Sequence, residues 1–161
     1  MARVWIAVIF GSLAIVDDLR RRRISNWIAV GALVSGIVLQ IASKGWRGGL
    51  DGLFGTLAGG AVFLIFYLLG GMGGGDVKLM AGFGALLGPR GILVAALWTA
   101  ACGGLIAAGA IAFGALKRAL GRSRRTANAV GAAVPAPAAP LSIPYAPAIA
   151  LGVWLSLIPA S

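Results

Sequence analysis

The chain has 161 residues, 60% of them hydrophobic, with a formal net charge of +10 and a mean hydropathy of +0.96. An apolar share well above the roughly 45–50% of soluble domains predicts a polytopic membrane protein, all α-helical and built as a single membrane-embedded domain over residues 1–161. There is no histidine and one cysteine, Cys102. That excludes an intrachain disulfide framework, a multi-cysteine zinc site and any histidine-based triad, metal site or haem.

The first span is expected over Ala2–Asp17. It reads as a retained helix and not a cleaved signal. Its leading charge is Arg3 alone, the basic cluster follows the apolar run, and no small-x-small site comes after it. The run ends in Asp17-Asp18-Leu19 and then Arg20–Arg23. An ionisable group beside a hydrocarbon span is costly, so these aspartates are functional candidates. Neighbours on a helix point about 100° apart, so Asp17 and Asp18 cannot face one partner. Asp18 also has a plain reading, as a helix-end carboxylate neutralised by the arginines after it.

The second span is expected over Asn26–Ser43 and the third over Gly52–Leu69, with Asp51 as an outer-face N-cap of the third. Gly52, Gly55, Gly59, Gly60 and, further on, Gly103 are expected to allow close helix packing. Gly70-Gly71-Met72-Gly73-Gly74-Gly75-Asp76 comes next. Glycines permit φ > 0 and close approach of another chain. Gly73, Gly74 and Gly75 therefore suit an extended peptide lying beside Asp76. The plain alternative is a linker, with Asp76 as a helix N-cap.

The fourth span, Asp76–Leu87, is short. At 1.5 Å per residue it reaches about 18 Å, against a hydrocarbon core of roughly 30 Å. Its start is expected below the headgroups, where irregular backbone must line protein or a wet cavity. Lys78 lies away from the Asp76 face and is expected to snorkel to headgroups. The fifth span is expected over Gly91–Leu116. Residues 117–144, basic and then Ala/Pro-rich, read as a flexible cytoplasmic loop drawn to anionic lipid. The sixth span is Tyr145–Ile158.

With the N-terminus outside, the inner segments hold Arg20–Arg23, Lys78, Lys117, Arg118, Arg122, Arg124 and Arg125. The outer ones hold Arg3, Lys44, Arg47 and Arg90. Ten against four follows the positive-inside pattern. It explains the net charge without nucleic acid, and it puts Asp18 and Asp76 on one cytoplasmic face. Two carboxylates there point to aspartyl protease chemistry, which needs no metal or cofactor. The competing readings are a non-enzymatic transporter or assembly subunit using the aspartates as ion ligands, and a presenilin-like protease. The latter shares Gly-x-Gly-Asp but typically carries its first aspartate in a Tyr-Asp context.

Asp18-Leu19-Arg20…Ile24-Ser25-Asn26, Gly73-Gly74-Gly75-Asp76-Val77-Lys78-Leu79 and Ile143-Pro144-Tyr145-Ala146-Pro147-Ala148-Ile149-Ala150-Leu151-Gly152 occur in this order. Together they resemble the type IV prepilin peptidase family, of the Gly-x-Gly-Asp aspartyl protease type with about six spans. The resemblance implies that Asp18 and Asp76 are the catalytic pair, and it favours Asp18 over Asp17. It implies a prepilin substrate, cleaved after a glycine at the cytoplasmic edge of a bacterial inner membrane. Ser25 stands where the family usually has proline. The chain lacks the cysteine-bearing insert of the long bifunctional members, so N-methylation is not expected. Its size is similar to that of the short members serving tight-adherence (Flp) pili.

Overall fold

A computed structural model describes residues 1–70, 72–125 and 145–158. The described chain is helical: α1 (Ala2–Arg21), α2 (Asn26–Lys44), α3 (Trp46–Leu68), α4 (Gly74–Arg125) and α5 (Ala146–Ser156). It divides into two compact units, Met1–Gly103 with Pro144–Ser161, and Gly104–Ile143. In the second unit the described residues are the helical 104–125.

Among the described residues, three helical stretches are long and apolar enough to cross a membrane: Asn26–Lys44, Trp46–Leu68 and Gly74–Gly114. The chain is therefore a membrane protein. α2 has 19 residues, about 28 Å at 1.5 Å each, which matches the hydrocarbon thickness. Trp27 at its start and Trp46 just past its end are both exposed, the placement expected of interfacial aromatic anchors.

Several boundaries differ from the sequence expectation. α1 runs on through Asp17 and Asp18 to Arg21, and closes with Arg22 in the left-handed conformation (φ 52°). α3 begins at Trp46, with Gly45 as its N-cap. Asp51 is thus not an N-cap; it lies inside α3 and pairs with Lys44 at 2.9 Å. The tight Gly45 corner (φ 62°) lets α3 start directly after α2, so no capping side chain is needed further on. α4 begins at Gly74, not Asp76, and breaks once, at Gly88 (φ 76°, ψ 177°) before Pro89. That break separates the expected fourth and fifth helices. The second part continues to Arg125, into the stretch read as a loop. Residues 126–144 of that loop lie outside the described residues.

The core of the first unit gathers residues of all five helices, and the first part of α4 packs closely against both α2 and α3. A methyl group on Gly55 or on Gly84 would overlap the carbonyl oxygen of the other. A Cβ at Gly36 would meet the Leu86 backbone nitrogen at 2.6 Å, and one at Gly59 the Met80 oxygen at 2.7 Å. Close backbone approach through small residues is how helices gain contact where lipid provides no hydrophobic drive. Of the glycines singled out from sequence, Gly55 and Gly59 have this role. Gly52, Gly60 and Gly103 have only ordinary contacts. α5 packs on α1, with Trp154 Nε1 donating to the Ala7 carbonyl at 3.1 Å.

Candidate active site

Two of the four aspartates are nearly buried, Asp18 at 8% exposure and Asp76 at 7%. They are the two that the motifs marked. They come from the end of α1 and the start of α4, and the Asp18 carboxylate is close enough to act electrostatically on Asp76. Burying a carboxylate without a donor is costly, and each has one. Asp18 Oδ2 accepts the backbone N–H of Ala146, the first residue of α5, at 3.2 Å. Asp76 Oδ2 accepts the backbone N–H of Gly73 at 3.2 Å.

The second bond defines how α4 starts. Asp76 is the third helical residue, and it reaches back to the N–H of the residue before the helix. That is the acidic half of a capping box. Asp76 therefore does cap, but from the third position and not as the N-cap itself. A negative charge in the first turn also suits the helix dipole. The same geometry pins the carboxylate rather than leaving it to swing on a linker.

Gly73, Gly74 and Gly75 form the cap and first turn of α4. Their φ angles are not in the left-handed region; among the described residues of this run, only Gly70 (φ 75°) is. The need for glycine at Gly75 is steric. A Cβ there would sit 3.1 Å from the Ile24 Cβ. At Gly73 it would sit 3.3 Å from Asp76 Oδ2. The α1–α2 turn thus lies directly against the first turn of α4.

Asp17 is turned to a different task. Its Oδ2 accepts the Ser25 N–H at 2.8 Å, and its Oδ1 lies 3.5 Å from Arg21 Nε. It fastens the turn that follows Asp18. Lys78 Nζ donates to Asn26 Oδ1 at 3.0 Å, tying the start of α4 to the start of α2. Sequence reasoning separated Asp17 from Asp18 but did not find the Ala146 donor. A backbone N–H has no residue signature, although Pro147 in the first turn of α5 is a helix-start signal and hence a sign of free N–H groups.

Among the described residues no cluster of three or more His, Cys, Asp or Glu is arranged to hold a metal ion. No curated protein and no solved structure matches the chain. A family model described as the type IV leader peptidase family matches residues 5–108. The matched stretch takes in Asp18, the α1–α2 turn and the whole of Gly73–Asp76. It covers well over half of the sequence, and the chain therefore belongs to the type IV leader peptidase family.

Proposed function

We propose that this protein is an aspartyl endopeptidase that removes the leader peptide of type IV or Flp-like prepilins at the cytoplasmic face of a bacterial inner membrane. Asp18 and Asp76 are its catalytic pair. The observation that carries this reading is the burial of two carboxylates from distant parts of the chain, each held by a backbone N–H and near enough for one to act electrostatically on the other.

Two carboxylates that share a site do not both ionise easily, so the pair holds one proton between them. The ionised group takes a proton from water as the water oxygen attacks the scissile carbonyl. The protonated group donates a hydrogen bond to that carbonyl and stabilises the tetrahedral intermediate. Collapse breaks the C–N bond, and the leaving amine takes up a proton. The pair titrates as a unit, so acid and base are not assigned singly. Of the three glycines, Gly73 is the one that leaves the Asp76 carboxylate free of a neighbouring side chain for an extended substrate, while Gly74 and Gly75 lie against Tyr67 and Ile24.

Counting α4 as two helices at its Gly88 break, with α1 and α5 added, gives six spans in one membrane-embedded peptidase domain. The ten-to-four distribution of basic residues supports termini outside and the aspartates at the cytoplasmic face. The direct experiment is coexpression with a candidate prepilin, read as a mobility shift. Wild type cleaves, and Asp18→Asn and Asp76→Asn leave the precursor intact while still inserting. Cleavage by either asparagine variant at wild-type rate overturns the assignment.

A further inference from the structure

We propose that the α1–α2 turn and the adjoining groove between α2 and α4 bind one anionic phospholipid, with its headgroup beside Arg23 and one acyl chain along the groove. The proposal uses only the membrane placement of the helices and does not depend on the peptidase reading.

Two open cavities here share a wall residue, Asn26. One, of about 610 Å³, is lined by Arg21, Arg23, Ile24, Ser25 and Asn26. It has two guanidinium groups in its wall and no carboxylate. Arg21 shares its charge with Asp17; Arg23 has no ion pair among the described residues. The other, of about 330 Å³, also has Asn26 in its wall and runs past Ala29, Val30, Leu33 and Ala81. Lys78 lines the second cavity and donates to Asn26, the residue in the wall of both. A cationic concavity and an apolar trough thus lie side by side, with Asn26 in the wall of both.

The depth order matches a lipid. Trp27, 60% exposed, is the aromatic anchor of this end of α2, and such residues sit at headgroup level. Arg21, at the end of α1, and Arg23, in the turn, precede it. The trough residues Val30 and Leu33 follow it down the helix, at acyl-chain depth. A phospholipid carries an anion and an apolar tail in that order, and the bilayer presents it in that orientation.

A substrate helix fits less well. The trough is floored by the α2–α4 contact, where a Cβ on Gly82 would meet the Ala29 oxygen at 2.7 Å. At 100° per residue, Lys78 and Ala81 lie about 200° and 140° around α4 from Asp76, so the trough is not on the carboxylate's side.

The test is native mass spectrometry of the protein released from nanodiscs of phosphatidylcholine doped with phosphatidylglycerol. It is paired with thermal unfolding in detergent on titration of each lipid. Wild type should retain one phosphatidylglycerol and be stabilised by it in preference to phosphatidylcholine. Arg23→Gln should weaken that binding roughly fivefold, the usual effect of one cation at a membrane surface. Val30→Trp fills the trough without changing charge, and should abolish retention. Val38→Trp, also at an exposed site of α2, is the control for folding and should retain the lipid. Equal retention of phosphatidylcholine overturns the proposal. So does loss in Arg23→Gln with none in Val30→Trp, which is plain surface attraction, or equal stabilisation by inorganic phosphate.

Discussion

The N–H of Ala146 donates to Asp18 Oδ2 at 3.2 Å, joining the start of α5 to the end of α1 across 128 positions of sequence. The first turn of a helix has unsatisfied N–H donors and the positive end of the dipole, and both favour an anionic oxygen. The last described helix thereby positions the first of the two buried aspartates. Lengthening the connection before Ala146 should leave Asp18 well placed so long as α5 still docks on α1. Disrupting that docking at Trp154 should harm the site from a distance. Trp154→Ala removes the hydrogen bond to Ala7 and should lower cleavage per inserted molecule several-fold, with Asp18 itself intact.

Asp17→Asn should behave quite unlike Asp18→Asn. An asparagine carbonyl can still accept the Ser25 N–H now held by Asp17, so the turn survives and most cleavage should remain. Asp51→Asn loses only an exposed ion pair with Lys44, a contribution of about 0–1 kcal/mol, and should also stay active. A dead Asp17→Asn beside an active Asp18→Asn would reverse the assignment of the first motif.

Gly75→Val should reduce cleavage far more than it reduces insertion. Its side chain must push into Ile24, shifting the first turn of α4 and with it Asp76. Ile24→Ala in the same molecule opens that space and should recover part of the loss. Absence of any recovery would mean that Gly75 acts through something other than this contact. Shortening Val134–Pro140, which lies outside the described residues, should be far milder.

The Gly55–Gly84 contact predicts a stability effect separable from chemistry. Gly84→Ala places a methyl group against backbone, which a flexible side chain cannot relieve. Overpacking of this kind typically costs about 1–3 kcal/mol. The variant should unfold at lower temperature in detergent. Gly104→Ala, where a Cβ meets nothing within 4 Å, should not.

Topology can be read by labelling single cysteines in a Cys102→Ser background. Ser123→Cys should be reached by membrane-impermeant reagent only after the cells are opened. Labelling from outside intact cells would invert the orientation.

Composition and hydropathy were enough to specify a helical membrane protein; the charged exceptions within it marked Asp17, Asp18 and Asp76 as candidates, and the family motif favoured Asp18 over Asp17. Those signals are local: a carboxylate beside an apolar run is costly wherever the rest of the chain goes. The family was legible for the same reason, in short motifs that keep residue type and spacing. The true start of α3 was not, because Gly45 turns the chain without a capping side chain, and Asp51 then looked like the cap it is not. Nor was the reason for glycine at Gly75, which is the nearness of Ile24 and not a left-handed φ. Which helix holds Asp18, which residues α4 slides between, and how Lys78 finds Asn26 all depend on backbone donors and close approaches between distant segments. Such contacts are made by atoms every residue shares, and so only the folded chain decides them.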